Sequence, residues 1–103
     1  MARLMHRFEC AELLLHEGEP VGLLKVSRDP HEWVLIQIQL APGYQGGGIG
    51  TRLLAEIVAE AERAGVDLTL SVLKANPARA LYARFGFLVE RESEFSYEMR
   101  RKP

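Results

Sequence analysis

A cluster of glycines is the first group of residues in this sequence that could do chemistry. Five glycines fall between Gly43 and Gly50, directly before a segment with helical periodicity. Glycine destabilises a helix, but without a side chain it lets a ligand approach the backbone closely. The first N–H groups of a helix lack intrahelical partners and carry about +0.5 of an elementary charge. Residues 46–50 therefore predict a backbone site for a phosphate or diphosphate group.

Two familiar phosphate-binding patterns do not fit this cluster. Gly43 and Gly48 have the spacing of a mononucleotide loop, but Ile49 and Gly50 replace its Lys and Ser/Thr. A dinucleotide Gly-x-Gly-x-x-Gly pattern that starts at Gly46 or Gly48 lacks its last glycine. The alternative is a flexible loop whose glycines are purely structural.

The elements before the glycines are predicted to be strands. Residues 8–16, 21–27 and 33–40 alternate or carry β-formers and are separated by short turns, which favours an antiparallel meander. In the third strand, one face is predicted to hold Val34, Ile36, Ile38 and Leu40, and the other Trp33, Leu35, Gln37 and Gln39.

The elements after the glycines alternate between helices and strands. Apolar residues recur with helical spacing from Ile49 until Gly65, which is typical of a helix end. Residues 67–73 read as a buried strand, and Asn76-Pro77 as the cap and first position of a short helix over 77–85. Strands are predicted at 87–93 and 95–100. The order βββαβαββ, with a parallel pair 33–40 and 67–73, predicts one α/β domain over 1–103 with a mixed sheet.

Composition excludes several classes of function. Hydrophobic residues make up 48% and charged residues 26% of the 103 residues, and the net charge of −1 gives no reason to expect nucleic acid or a membrane as partner. Cys10 is the sole cysteine, so we expect no internal disulfide and a cytoplasmic protein. The three histidines lack metal-ligand spacing, and we expect no metal site.

Two segments resemble the GNAT superfamily of acyl-CoA-dependent N-acyltransferases. Gln45-x-x-Gly48-x-Gly50 is similar to the family's Q/R-x-x-G-x-G/A signature. The segment NPARALYARFGF, residues 76–87, resembles the family's downstream element. One predicted helix and one strand separate the two segments, as in the family, and the resemblance extends over residues 8–100.

The resemblance implies acetyl-CoA as the acyl donor, bound in a V-shaped cleft between strands 33–40 and 67–73. Its diphosphate would lie on the backbone N–H groups of Gln45, Gly46, Gly47, Gly48, Ile49, Gly50 and Thr51. The pantetheine arm would follow the backbone of residues 38–41, which includes Leu40 and Ala41, with the thioester carbonyl polarised by an N–H near Leu40. Asn76 would contact the arm, and Tyr82 would protonate the departing thiolate.

The chemistry of a phenol is compatible with that role for Tyr82. A thiol has a pKa near ~8.5 and a phenol near ~10, so the phenol can donate to a thiolate. Two structural roles remain open: Tyr82 as a core residue beside Leu81 and Phe85, and Asn76 as a plain helix cap.

The acceptor side is less defined. An amine must lose a proton before it attacks, and Gln37 and Gln39 cannot serve as bases. Glu32 and His31 are the nearest candidate bases, beside a water-relayed proton. Relatives usually begin with a strand and two helices, which this chain is expected to lack. The acceptor site would then be open, or completed by a second subunit in a homodimer.

These features favour an N-acetyltransferase that transfers an acetyl group from acetyl-CoA to a primary amine by direct attack. The alternative is a non-catalytic acyl-CoA-binding module or sensor subunit. A third interpretation is an α/β interaction domain with structural glycines.

Overall fold

The computed structural model describes residues 2–5, 11–44 and 48–103. Its elements are β1 Ala2–Met5, β2 Ala11–His16, β3 Glu19–Arg28, β4 Glu32–Leu40, α1 Ile49–Ala64, β5 Asp67–Leu73, α2 Ala78–Arg84, β6 Leu88–Glu92 and β7 Ser96–Arg101. The predicted fold class and the order from β2 onward are confirmed. The strand β1 was not predicted, and residues 8–10 of the first predicted strand lie outside the described residues.

The strands form one mixed sheet in the order β1-β2-β3-β4-β5-β7-β6. Its first four strands are the predicted antiparallel meander with β1 added at the edge. The pair β4–β5 is parallel, as predicted, because α1 returns the chain to the same end of the sheet. Antiparallel pairing resumes with β7, which lies between β5 and β6.

Both helices pack on the same face of the sheet. The buried side of α1 consists of Leu53, Leu54, Ile57, Val58 and Ala61. It joins one hydrophobic cluster with sheet residues such as Leu24, Leu35, Leu70 and Met99. Leu81, Tyr82 and Phe85 of α2 pack against the same cluster. The other face of the sheet carries no helix from the described part of the chain.

The prediction that 67–73 is a buried strand is only half right, because helices cover only one face of the sheet. Leu68, Leu70 and Val72 are buried against the helices, whereas Thr69 is half-buried and Ser71 exposed. Successive strand residues point to opposite faces, so only the alternate residues of β5 reach the core.

A bulge corrects the predicted faces of β4. Leu35 lies opposite Val26 and Gln37 opposite Lys25, so Ile36 is an extra residue without a partner in β3. The bulge shifts the alternation by one residue: Leu35 is buried, Ile38 and Leu40 pack on the same core, and Ile36 is 55% exposed. The predicted face that grouped Ile36 with Ile38 and Leu40 is therefore wrong.

The end of α1 is as predicted. Gly65 adopts φ 70° and ψ 30°, a left-handed conformation that glycine takes without strain. The N–H groups of Gly65 and Val66 donate to the carbonyls of Glu62 and Ala61, each at 3.1 Å. These bonds satisfy carbonyls that the last helical turn would leave without partners.

Candidate active site

The parallel pair β4–β5 separates partway along its length and forms a cleft. The two strands pair from Glu32–Asp67 to Leu35–Leu70, and the pairing stops there although both strands continue. A cavity of about 230 Å³ occupies the gap, and its lining is Leu35, Ile36, Gln37, Ile38, Leu70, Ser71, Val72, Leu73, Asn76 and Tyr82. This cleft lies where the resemblance implied one.

Tyr82 projects from α2 into this cavity and is half-buried. Its ring packs edge-on against Phe87, with the ring centroids 5.8 Å apart and the ring planes at 62°. Burial raises the pKa of the Tyr82 phenol above its usual value, because a phenolate would lose hydration there. The hydroxyl therefore stays protonated at neutral pH and can donate a hydrogen bond or a proton.

Asn76 precedes α2 by two residues and lines the same cavity. Its Oδ1 accepts a hydrogen bond of 2.9 Å from the N–H of Ala78, which satisfies one of the free donors at the helix start. This bond uses Oδ1 and leaves Nδ2 available as a donor. A single side chain can thus cap the helix and bind a carbonyl in the cavity.

The start of α1 lies close to the end of β4, because a Cβ on Gly50 would be 3.9 Å from Leu40 Cδ1. The N–H of Ala41 donates to the carbonyl of Val21 at 2.8 Å, and the N–H of Tyr44 to the carbonyl of Ala41 at 3.1 Å. Gly48 caps α1 with φ 83° and ψ 0°, and its carbonyl accepts from the N–H of Arg52 at 3.0 Å. Gln45, Gly46 and Gly47 lie outside the described residues.

The first turn of α1 suits an anion. It contains no acidic residue, so no side-chain charge opposes the positive end of the helix dipole. Among the described residues, a Cβ built on Gly48 would meet no atom within 4 Å, so there is space beside this glycine. Ile49, Gly50 and Thr51 present N–H groups without an intrahelical acceptor.

Glu32 is not brought to the cleft. It begins β4 at the paired end, where it accepts a hydrogen bond from Thr69 at 3.2 Å and lies 3.6 Å from Arg100. Leu40 is eight residues further along the strand, about 26 Å at 3.3 Å per residue. His31 lies in the preceding turn, where its N–H donates to Asp29. The two predicted candidate bases are therefore remote from the end of β4, and neither lines the cavity that Tyr82 enters.

The residues that line the cavity carry no carboxylate or imidazole. Ser71 is a cavity residue that the sequence did not single out. Its position could have been predicted from the sequence, because Thr69 and Ser71 alternate with leucine and valine, a pattern typical of a strand with one exposed face.

The described residues offer neither a membrane span nor a metal cluster. Neither helix is long and apolar enough to span a bilayer. In residues 2–5, 11–44 and 48–103, no group of three or more His, Cys, Asp or Glu could hold a metal ion.

Comparison with known proteins adds independent information. The profile of the acetyltransferase (GNAT) family matches residues 3–87. A [ribosomal protein bS18]-alanine N-acetyltransferase from Haemophilus influenzae is 33% identical over 75 residues, which is 72% of this chain and 51% of that protein. The chain thus spans about half the length of this curated relative.

Solved structures share the fold. The ribosomal-protein-S18-alanine N-acetyltransferase from Escherichia coli superposes with a TM-score of 0.79 at 24% identity, over 95% of this chain and 71% of that one. The PaiA N-acetyltransferase from Thermoplasma acidophilum, solved in complex with coenzyme A, superposes with a TM-score of 0.78 at 22% identity. The match covers 90% of this chain and 60% of that one.

Proposed function

This chain belongs to the acetyltransferase (GNAT) family, and from that premise we propose that it transfers an acetyl group from acetyl-CoA to a primary amine by direct attack. The observation that carries the proposal is the cleft between β4 and β5. Tyr82 and Asn76 line it, and Gly50 in the first turn of α1 lies close to Leu40 at the end of β4.

The donor is proposed to bind along the whole cleft. Its diphosphate lies on the N–H groups at the start of α1, including those of the glycine segment 45–47. Its pantetheine arm follows β4 past Ile38 to Ala41, beside Leu40, and the Nδ2 of Asn76 donates to an amide carbonyl of the arm. The thioester then lies near Tyr82.

The proposed reaction needs no acyl-enzyme. The neutral amine attacks the thioester carbonyl, the new C–N bond forms, and the C–S bond breaks. Tyr82 donates its proton to the leaving thiolate and recovers one from the nitrogen, which has become positively charged. A raised pKa keeps Tyr82 in the donating form.

We propose the α-amine of a protein N-terminus as acceptor. An α-amine has a pKa near ~7.8 and a lysine amine near ~10.4, so at pH 7 the neutral fraction of the α-amine is larger by a few hundredfold. That difference matters where the cavity itself holds no base. The relative from Haemophilus influenzae, named for an alanine of a ribosomal protein, supports the same class.

The test is turnover with matched acceptors. The first peptide begins with a free alanine, and we expect it to cause thiol release from acetyl-CoA. The second has the same sequence with an acetylated N-terminus and one internal lysine, and we expect no thiol release with it. Transfer to the lysine peptide alone would contradict the α-amine assignment. Transfer to neither, nor to any amine of a broad panel, would refute the proposed activity.

A non-catalytic acyl-CoA-binding module is the second candidate, and the lack of a base among the cavity residues favours it. Acetyl-CoA at about 100 times its dissociation constant should raise the free energy of unfolding by about 2.7 kcal/mol for either candidate. Such a shift without turnover would support the module. No shift at all would leave only a structural role for the glycines.

The oligomeric state is a further part of the proposal. A homodimer would let a second subunit complete the acceptor side of the cleft, where Ile36 and Leu73 are 55% and 61% exposed. Light scattering at micromolar concentration distinguishes a dimer of about twice 11.6 kDa from a monomer.

A further inference from the structure

A second cavity adjoins the cleft on the helix-free face of the sheet. Its volume is about 180 Å³, and Leu70 and Ser71 line both cavities. Its walls hold charged side chains that the cleft lacks: Glu32, Glu90, Arg91, Glu98 and Arg100. Ser71 therefore lies between the cleft and a region that contains carboxylates.

Glu98 is the acidic residue that pairs with Ser71 in the sheet. The two residues are direct partners in the antiparallel pair β5–β7. Such partners have Cβ atoms about 4.5–5.5 Å apart on the same face of the sheet. Both neighbouring residues, Leu70 and Met99, are buried in the core, so Ser71 and Glu98 point to the helix-free face.

The other carboxylates near this cavity are engaged by Arg100. Its guanidinium lies 2.8 Å from Asp67, 2.8 Å from Glu90 and 3.6 Å from Glu32. Glu98 instead pairs with Arg91 at 3.2 Å, and the Arg91 side chain is 78% exposed. An ion pair that exposed is weak and easily exchanged for water or a ligand.

We propose that Ser71 and Glu98 relay the proton of the acceptor amine, an inference that rests on the proposed acetyl transfer. The ammonium donates a proton to the Ser71 Oγ as the Ser71 hydroxyl gives its own proton to the Glu98 carboxylate. The neutral amine then attacks the thioester carbonyl. Glu98 releases its proton to solvent through the open cavity, which balances the single proton set free in each transfer.

The charges around Glu98 come from three strands. Arg91 on β6 and Arg100 on β7 are cationic, and Glu32 on β4 and Glu90 on β6 are anionic but held by Arg100. Thr69 and Ser71 of β5 add hydroxyls along the floor of the cavity. Any pH dependence must therefore be compared with variants of the same net charge.

The test compares Glu98→Gln and Ser71→Ala with Glu94→Gln, which removes the same charge from the exposed β6–β7 turn. At pH 7 we expect Glu98→Gln to lower kcat for amine transfer by about 100-fold, the lower bound for general base catalysis. The KM for acetyl-CoA should change by less than about twofold, because Glu98 does not touch the donor. Ser71→Ala should cause a similar loss, and the double variant little more. Glu94→Gln should behave as wild type.

The pH profile separates a proton relay from a structural role. As pH rises toward the pKa of the amine, its neutral fraction in solution grows about tenfold per unit, so the deficit of Glu98→Gln should shrink accordingly. A deficit that is constant across pH, or wild-type kcat in either single variant, would overturn the relay while the proposed function stands. A wild-type protein inactive with every amine would refute both.

Discussion

Two glycines at the start of α1 allow the proposed diphosphate site to be tested by a matched pair of substitutions. Gly48 has φ 83°, and a Cβ there would meet no atom within 4 Å. Gly50 lies inside the helix, and its Cβ would make ordinary contact with Leu40 Cδ1 at 3.9 Å. The two positions thus differ in backbone strain and in what a methyl group would reach.

The expected effects on stability have opposite signs. Gly48→Ala places an L-residue in the left-handed region, which costs about 1–2 kcal/mol. Gly50→Ala replaces glycine within a helix, which gains about 0.5–1 kcal/mol. For a domain of this size 1 kcal/mol corresponds to about 4–8 °C in Tm, so we expect a fall of about 4–16 °C and a rise of about 2–8 °C. Residues two apart on a helix do not face each other, so the double variant should lie between them.

The affinity for coenzyme A should depend on the residue at position 48 and not on that at position 50. The methyl group that Gly48→Ala introduces would lie at the N-cap of α1, beside the N–H groups on which the diphosphate is proposed to lie. We expect the Kd for coenzyme A to rise at least about tenfold in Gly48→Ala and in the double variant, equivalent to about 1.4 kcal/mol. Gly50→Ala should bind as wild type, since the family signature that it matches accepts Gly or Ala at that place.

Isothermal titration with coenzyme A, alongside urea unfolding, measures both quantities. The double variant is decisive because its stability is restored in part while its methyl group at position 48 remains. Wild-type affinity in that variant would show that the diphosphate does not lie against the start of α1. Alanine is preferable to valine at position 48, because a branched residue is more strained at positive φ.

Three other predictions concern the cleft and the sheet. Tyr82→Phe should lower kcat while leaving KM for acetyl-CoA nearly unchanged in steady-state assays. Burial raises the pKa of Tyr82 in the folded state, so above about pH 10 the phenol of the unfolded chain ionises first. The free energy of unfolding of the wild type should therefore decline as pH rises above that value. The Phe variant should lack this part of the decline when unfolding is measured against pH. Asn76→Asp keeps the oxygen that accepts from the N–H of Ala78 but removes the amide donor. The affinity for coenzyme A should therefore fall with little change in Tm. Asn76→Ala removes the cap as well, so it should also lower the free energy of unfolding by about 1 kcal/mol. Gly22→Ala should destabilise the sheet by about 1–3 kcal/mol in urea unfolding, because its Cβ would come within 2.5 Å of the Gln39 carbonyl oxygen.

The parts of the fold that the sequence predicted are determined locally. The start of α2 depends on Asn76 and Pro77, which favour a helix start through their own side chains and dihedral angles. The end of α1 likewise depends on Gly65, whose positive φ other residues adopt at a cost. Both could be placed correctly without knowledge of the rest of the chain.

The parts that were missed depend on pairing between distant segments. The bulge at Ile36 arises from the register of β4 against β3, and nothing in the alternating letters of residues 33–40 marks it. The proximity of Ser71 and Glu98 exists only once β5 and β7 pair. Glu32 was predicted as the base because it is the nearest carboxylate to Gln37 and Gln39 in sequence, but it lies at the paired end of the strand, away from the cleft.

The bulge and the cleft are connected physically. The last paired residues of β4 and β5 are Leu35 and Leu70, and the extra residue Ile36 follows immediately. A bulge bends a strand, and here the pairing of β4 with β5 stops where the bulge begins, whereas its pairing with β3 continues. Two strand edges then face each other across a gap instead of a hydrogen-bonded ladder. A pantetheine arm, which carries two amides in an extended chain, offers donors and acceptors of the kind that the missing ladder would have supplied, so a donor bound there completes the interrupted sheet. The two side chains proposed to act in the transfer, Tyr82 on one face and Ser71 on the other, would then lie on the two sides of that arm.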